Sequence, residues 1–164
     1  GGGPGMVMMA EPILKAWEKA VGKKTVSLKK GRVKTLIMSP RGTVFTNELA
    51  KQWASDYEHL VLISGRYEGI DARVKEILGA EEVSVGDYVL TGGELPALTI
   101  IDSVSRQIPG VLGTFESLED ERATSGVTYT RPEVLIYKKK KHPVPDVLLG
   151  GNHAEIDKWR TGLS

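Results

Sequence analysis

The chain has 164 residues, no cysteine and a formal net charge of +1 at pH 7. Its 40% apolar and 26% charged residues suit one globular domain with a hydrophobic core, and they argue against a disordered chain. The apolar runs are short and no basic-then-apolar segment opens the chain, so the sequence predicts neither a membrane span nor a secretion signal. The absence of cysteine excludes disulfides and thiol catalysis and fits a reducing, cytoplasmic location.

The first predicted elements are a helix and a short strand. Residues 11–21 place apolar side chains on one helical face, and Gly22 is the expected end of that helix. The polar segment 23–34 predicts a loop or an irregular hairpin. Residues 35–38 then predict an apolar strand that stops at the Ser-Pro-Arg-Gly turn of residues 39–42.

Two strand-to-helix units follow. Thr46 is the expected N-cap of a helix that ends near residue 54. Residues 59–64 form an uninterrupted apolar run, which predicts a strand buried on both faces. Asp71 is expected to cap a helix through residue 78, and residues 83–90 predict the next strand.

Near the end of the chain, residues 152–155 have the spacing of a capping box that opens a helix through residue 160.

The stretch from residue 84 to residue 113, SVGDYVLTGGELPALTIIDSVSRQIPGVLG, organises the rest of the chain. Gly92 and Gly93 predict a sharp turn, and Pro96 fits the first turn of a helix over residues 94–107. The double glycine is either a tight turn alone or a place where a ligand meets bare backbone amides. Five apolar residues at three- and four-residue steps predict the buried face of the helix: Leu95, Leu98, Ile101, Val104 and Ile108.

Strand, loop and helix repeat three times, which predicts an α/β fold with a parallel sheet flanked by helices. In such folds the loops that follow the strands share one edge of the sheet, where ligands bind. The three loops begin at Ser39, Gly65 and Ser84. Each glycine in them, taken singly, fits a plain turn as well as a binding loop, but their joint position after consecutive strands favours a ligand site.

Two runs of basic residues interrupt the otherwise balanced charge. Such runs are either solvated loops or contacts for RNA phosphates. One run is Lys138–Lys141, and the other comprises Lys23, Lys24, Lys29, Lys30, Arg32 and Lys34.

Six stretches carry a resemblance to a known family: GGGPGMVM (1–8), SPRG (39–42), GRYEGID (65–71), residues 84–113, YTRPEVL (129–135) and LLGGNHAEIDKWR (148–160). In this order they resemble the bacterial tRNA (guanine-37-N1)-methyltransferases of the SPOUT class. The resemblance implies a deep trefoil knot in the C-terminal part of an α/β methyltransferase domain over residues 1–150. It also implies a homodimer in which both subunits build each substrate site.

The same resemblance sets expectations for the ends of the chain. Residues 151–164 are expected to form a short helix and the start of a linker. The family's first strand and helix, and its C-terminal tRNA-binding domain, are expected to be absent from this chain.

The activity implied by the resemblance is methyl transfer from S-adenosylmethionine to N1 of guanosine 37 in the tRNA anticodon loop. The alternatives are a domain that binds the donor without catalysis, and a related knotted enzyme that acts on another RNA position. The residues that match the donor site of the family are Ser39, Pro40, Gly65, Tyr67, Glu68, Ser84, Val85, Gly86, Tyr88, Leu90, Gly92, Gly93 and Pro96.

The resemblance also assigns catalytic roles. Asp120 matches the carboxylate that removes the N1 proton, with neighbouring Glu119 as the alternative because the loop is shorter here. Arg106 matches the group that stabilises charge at O6, a role suited to an always-protonated guanidinium. Pro4 is expected to line the guanine pocket, and Arg131 to support phosphate or donor binding.

Metal binding has weak support in the sequence. Glu68 and Asp87 are candidates to attract the sulfonium group or to hold magnesium, but hard cations require several oxygen ligands. His59, His142 and His153 lack the spacing of a zinc site. The sequence therefore predicts no resident metal site.

Overall fold

A computed structural model describes residues 5–26, 32–112 and 127–161. The chain divides into two compact units, residues 1–111 and 112–164. The first unit contains helix α1 (Ala10–Val26), strand β1 (Val33–Val44), helix α2 (Asn47–Asp56), strand β2 (His59–Ile63), helix α3 (Arg73–Leu78), strand β3 (Glu81–Ser84) and helix α4 (Glu94–Arg106). The second unit contains strands β4 (Val134–Tyr137) and β5 (Lys140–Pro143), a 3-10 helix (Asp146–Leu148) and helix α5 (His153–Thr161).

The first unit is a parallel sheet flanked by helices, which confirms the predicted α/β architecture. Its strands are ordered β2-β1-β3, and β1 pairs in parallel with both neighbours. Each strand is followed by a helix, as the threefold repeat of strand, loop and helix predicts. None of the helices in the described part of the chain is long and apolar enough to cross a membrane.

Two hydrophobic clusters lie on opposite faces of the sheet, because successive strand residues point to opposite sides. Leu36 belongs to the larger cluster and Ile37 to the smaller one. The larger cluster consists of Leu36, Met38, Ala50, Trp53, Val83, Ala97, Ile100 and Val104. The smaller one consists of Ile37, Val74 and Ala80, with α1 packed against it through Ala10 and Ile13.

Strand β1 is longer than predicted. It continues through residues 39–42 to Val44, and its pairing with β3 shifts register between Met38 and Thr43, which both lie opposite Val83. Residues 39–42 therefore form an irregular segment between two paired portions. Gly42 is required there, because a Cβ on it would lie 2.3 Å from the backbone nitrogen of Val83.

Strand β3 is shorter than the predicted strand over residues 83–90. The Ser84 hydroxyl donates to the carbonyl oxygen of Gly86 at 2.8 Å and accepts from the Gly86 N–H at 3.3 Å. These local bonds satisfy backbone groups that a continuing strand would pair with its neighbour. Residues 85–90 form an irregular loop instead.

The buried face of α4 also differs from the predicted one. The residues that pack inward are Pro96, Ala97, Ile100 and Val104. Of the residues predicted to be buried, only Val104 is, whereas the exposed fractions are 61% for Leu95, 60% for Leu98, 48% for Ile101 and 45% for Ile108. The small side chains of Ala97 and Pro96 allow α4 to approach the sheet closely, Ile100 and Val104 belong to the larger cluster, and Leu95, Leu98 and Ile101 point outward.

The predicted loop over residues 23–34 is partly wrong. Gly22 has φ 68° and kinks α1 rather than ending it, so the helix continues to Val26. Lys34 belongs to a basic run that predicts an exposed loop, but it is buried in β1. Its ammonium donates to Glu81 at 2.7 Å and lies over the rings of Trp53 and Tyr57.

Several local predictions are confirmed. The Thr46 hydroxyl accepts from the Leu49 N–H at 3.3 Å and caps α2. The cap of α3 lies one residue later than predicted, at Ala72, but the Asp71 carboxylate accepts from the Arg73 N–H at 3.0 Å, and left-handed Gly79 ends that helix. Helix α5 begins at His153, the second residue of the predicted capping box.

Candidate functional site

A cavity of about 490 Å³ lies at the carboxyl-end edge of the sheet. Its walls come from three places: the irregular segment of β1, the loop after β2, and the long loop that joins β3 to α4. Parallel strands bring these loops to one edge. Every residue predicted to contact the donor lines it: Ser39, Pro40, Gly65, Tyr67, Glu68, Ser84, Val85, Gly86, Tyr88, Leu90, Gly92, Gly93 and Pro96.

The start of α4 is joined directly to the loop after β2. The Gly93 N–H donates to the carbonyl oxygen of Gly65 at 2.9 Å, and the Gly93 carbonyl accepts the first helical bond from Ala97 at 3.0 Å. A Cβ on Gly93 would lie 2.6 Å from the Cα of Ser64 and 3.0 Å from the Cβ of Met38. Only glycine permits this approach of the helix to the strand ends.

The N-terminal segment holds the loop of residues 65–71 from the other side. Met8 forms a parallel bridge with Ile70. The Met8 N–H donates to Gly69 at 2.9 Å, its carbonyl accepts from Asp71 at 3.0 Å, and the Met6 carbonyl accepts from the Glu68 N–H at 3.0 Å. These backbone bonds fix the loop that carries Tyr67 and Glu68.

Tyrosines occupy unusual positions beside the cavity. Tyr67 has φ 60°, a left-handed conformation rare for a bulky residue, and its side chain is exposed. The Tyr88 ring lies against Gly86, where a Cβ would be 2.3 Å from a ring carbon, and its hydroxyl donates to the Val85 carbonyl at 3.3 Å. The backbone around Gly86 is therefore shaped to receive an aromatic ring.

Charged side chains surround the cavity in pairs. The Arg66 Nε donates to Glu94 at 2.9 Å, so an ion pair links the loop after β2 to the first turn of α4. The pKa of Glu94 lies below its ordinary value because of a bond from its own backbone N–H and the bond from Arg66. The pKa of Glu82 is lowered mainly by the hydrogen bond from Lys75, with a smaller effect of the bond from Ser39. Both carboxylates are therefore held in the charged form.

The predicted catalytic residues are not all within the described structure. Asp120, its alternative Glu119, and Pro4 lie outside the described residues. Arg106 is half-buried in the last turn of α4. It lies about 15 Å along the helix axis from Pro96, since ten residues separate them at 1.5 Å each. Arg131 is exposed in the second unit.

The two carboxylates considered as magnesium ligands, Glu68 and Asp87, lie in different loops. Glu68 lines the cavity and Asp87 is exposed in the loop after β3. Within the described ranges, no group of three or more His, Cys, Asp or Glu side chains is arranged to hold a metal ion. His59 begins β2, His142 lies in β5 and His153 begins α5.

Some cavity residues were not predicted individually. Arg66 stands inside the GRYEGID stretch, so the motif contained a signal for it. Arg41 and Glu82 line the cavity because β1 passes through residues 39–42 beside β3, an arrangement that the predicted end of β1 did not include. Met8 does not line the cavity but holds the loop after β2 through its backbone bonds and through its sulfur, which accepts from the Arg66 N–H at 3.3 Å.

Comparison with known proteins decides the family. The profile described as "tRNA (Guanine-1)-methyltransferase TrmD" matches residues 1–164, the whole chain. The chain belongs to this tRNA (guanine-1)-methyltransferase family. A tRNA (guanine-N(1)-)-methyltransferase of Ruminiclostridium cellulolyticum is 51% identical over 164 residues, which cover 98% of this chain and 66% of the relative. Proteins of the same name are 51% identical in Thermomicrobium roseum, with 98% and 57% covered, and 47% identical in Vibrio vulnificus, with 98% and 62% covered.

Membership of the methyltransferase family extends along the whole chain, but the chain spans less than two thirds of the length of these relatives. The matched region includes both compact units. The family assignment therefore covers the cavity and the second unit alike.

Proposed function

We propose that this chain binds S-adenosylmethionine and transfers its methyl group to N1 of guanosine 37 in a tRNA anticodon loop. One observation carries the proposal. The residues that match the donor site of the family come from three loops far apart in sequence, and they line a single cavity. The names of the relatives, tRNA (guanine-N(1)-)-methyltransferases, support the tRNA substrate and the N1 position.

The cavity fits the donor in size and lining. Its volume of about 490 Å³ lies within the usual range of small-molecule sites, roughly 300–1,000 Å³. Gly92 and Gly93 keep side-chain bulk out of one wall. Glu68 and Glu82 place two carboxylates in the lining, beside Arg41 and Arg66, and either carboxylate could face a sulfonium cation. When bound, the donor supplies an electrophilic methyl group on that positively charged sulfur.

The chemistry at guanine needs a base and an electrostatic stabiliser. In the proposal, Asp120 removes the N1 proton, with Glu119 as the alternative base. Arg106 donates hydrogen bonds to O6, where negative charge develops as N1 is deprotonated. Pro4 lines the guanine pocket and Arg131 supports phosphate binding. Positioning of the two reactants in one site supplies much of the rate.

A homodimer is part of the proposal. Arg106 lies about 15 Å along α4 from the cavity residue Pro96, so it is better placed to serve a site shared with a second copy than the cavity of its own chain. The outward face of α4 carries Leu95, Leu98 and Ile101, which are 61%, 60% and 48% exposed. An exposed apolar stripe of this kind is typical of a protein interface.

The remaining elements of the family assignment are also proposals. They are a methyltransferase domain over residues 1–150 with a deep trefoil knot, a linker beginning in residues 151–164, and a cytoplasmic location where tRNA is modified. If magnesium takes part, water or substrate oxygens complete its coordination shell, because Glu68 and Asp87 offer just two carboxylates.

Transfer of a labelled methyl group to unmodified tRNA transcripts tests the proposal. The expected result is incorporation into a transcript with guanosine at position 37 and none when adenosine replaces it. Continued methylation of the adenosine transcript would instead identify a related enzyme with another target. Asp120→Asn should abolish transfer without loss of donor binding, whereas Glu119→Gln should do so if the neighbouring carboxylate is the base.

A second candidate function is donor binding without methyl transfer. The chain covers 57% to 66% of the first relatives, so donor binding and methyl transfer are separate questions for these 164 residues. Donor binding with no transfer to any transcript would identify the chain as a donor-binding domain.

A further inference from the structure

The hairpin of β4 and β5 ends in an unusual two-residue turn. Tyr137 and Lys140 are opposite each other, and the turn residues Lys138 and Lys139 have φ 47° and 63°. Positive φ at both central positions is the mark of a type I′ turn, for which Asn-Gly is strongly preferred. Lysine strains this turn, so its presence at both positions suggests a role other than shaping the backbone.

The tip of this hairpin is strongly basic and exposed. Lys138–Lys141 are consecutive, and all four are exposed. Among the residues that the structure describes, no ion pair links these four lysines to a carboxylate. Their positive charge is therefore available to a partner.

An aromatic ring accompanies the charges. The Lys138 ammonium lies 5.4 Å from the centroid of the Tyr137 ring, within the range of a cation–π contact. Tyr137 is 60% exposed, although tyrosine usually buries much of its ring. Strand alternation puts Tyr137, Lys140 and the residue pair Leu135 and His142 on one face. This face combines positive charge with a ring on which a base can stack.

We propose that the hairpin tip of residues 137–141 binds RNA, with the lysines on phosphates and Tyr137 against a base. Clustered lysines with an adjacent exposed aromatic residue are the combination used to hold single-stranded or looped RNA. The inference rests on the proposed tRNA substrate and assigns part of its binding surface to the second unit. It concerns binding of the substrate and not the chemistry in the cavity.

Replacing the two turn residues separates the effect of their charge on RNA binding from their effect on the folding of the hairpin. Lys138→Asn with Lys139→Gly removes two charges and installs the preferred type I′ sequence, so the hairpin should fold at least as well. Lys138→Arg with Lys139→Arg keeps the charges. Lys15→Gln with Lys19→Gln removes two charges from exposed positions of α1 and serves as the matched control.

Binding of a fluorescent unmodified tRNA transcript to the 164-residue chain is measured by anisotropy over a series of salt concentrations. The Asn–Gly variant should bind roughly tenfold more weakly at low salt, and its salt slope should be smaller by about 0.7 to 0.9 for each phosphate that is no longer neutralised. The Arg–Arg variant and the α1 control should match the unchanged chain. Tyr137→Leu should weaken binding without altering the slope.

Equal tRNA affinity and slope in the Asn–Gly variant and the unchanged chain would overturn the hairpin assignment, as would an equal loss in the α1 control. Neither result bears on the proposed methyl transfer, which is measured separately. If the Asn–Gly variant loses affinity for vesicles of anionic phospholipid but keeps its affinity for tRNA, the tip is a membrane contact and the RNA assignment is wrong. Failure of the unchanged chain to bind tRNA would also overturn it, while donor titration still tests the cavity.

Discussion

The backbone N–H of Gly93 donates to the carbonyl oxygen of Gly65 at 2.9 Å, which joins the start of α4 to the loop after β2. Gly93 comes from the double glycine before α4, and Gly65 begins the GRYEGID loop. Their bond brings two walls of the cavity together, because Arg66 next to Gly65 and Gly92 next to Gly93 also line it. The shape of the cavity therefore depends on a close approach between two backbones.

Gly93→Ala should weaken both the fold and donor binding in the cavity. The new Cβ would lie 2.6 Å from the Ser64 Cα, so the backbone has to move, at a cost of about 1–3 kcal/mol in unfolding free energy. We expect donor affinity to fall about tenfold or more, equivalent to ~1.4 kcal/mol of binding free energy. Calorimetric titration measures this change. Gly150→Ala is the control, because a Cβ there meets nothing within 4 Å, and equal affinity in the two variants would contradict the role of the close approach.

Leu98→Lys should separate the proposed homodimer without unfolding the chain. Leu98 is 60% exposed in the single chain, so a charge there is tolerated by the monomer but desolvated in an interface. Sedimentation velocity should show a dimer for the unchanged chain and a monomer for the variant. Ile77→Lys, at an apolar position of α3 that is also 61% exposed, should remain dimeric. A monomeric unchanged chain, or a Leu98→Lys dimer of equal affinity, would contradict the assignment.

Lys34 should stabilise the fold although it is charged and buried. Its ammonium lies 5.5 Å from the Trp53 ring centroid and 5.1 Å from that of Tyr57, and Glu81 accepts its hydrogen bond. Lys34→Met should lower the free energy of unfolding by ~1–2 kcal/mol, the sum expected of cation–π contacts and a half-exposed ion pair. Urea denaturation measures the loss. Lys15→Met, in an exposed pair on α1, should change stability by no more than ~0.5 kcal/mol, and equal effects would contradict the prediction.

Acid should weaken the start of α3 only at very low pH. The hydrogen bonds from the Arg73 side chain and backbone lower the pKa of Asp71 from its ordinary 3.8 to about 2. Because the folded-state pKa is depressed, the stabilisation is fully present above about pH 4 and is lost as the pH falls towards 2. NMR titration of the Asp71 carboxyl carbon should give a midpoint near 2. Arg73→Gln should raise this midpoint towards 3.8, and an unchanged midpoint would show that Arg73 is not the cause.

The sequence predicted the order of the elements but not the environment of each face. The outward residues of α4 and its inward residues are both apolar, so spacing alone identified Leu95, Leu98 and Ile101 as core. The structure instead buries the face that carries Ala97 and Ile100, where the small alanine permits close packing on the sheet. A helix that is apolar on two sides is ambiguous until its partners are known.

The residues that the motifs assigned to one site lie together, whereas the strands that carry them have other bounds than predicted. The residues predicted for the donor site all line one cavity, yet β1 passes beyond its predicted end and β3 stops before its own. Both differences depend on tertiary contacts: the approach of Gly42 to Val83 and the bonds between Ser84 and Gly86. Strand propensity does not contain these contacts.

Binding of the methyl donor in the cavity can be measured by calorimetric titration of the chain with S-adenosylmethionine. We predict saturable binding at about one donor per chain, with heat that disappears in a variant whose cavity is deformed by Gly93→Ala and Gly92→Val. A Cβ on Gly92 would lie 2.3 Å from a Glu94 carboxylate oxygen and 3.0 Å from the Arg66 Nε, so it displaces the ion pair beside the cavity, while a Cβ on Gly93 pushes the start of α4 away from Ser64. Absence of saturable binding by the unchanged chain would contradict the assignment of this cavity to the methyl donor.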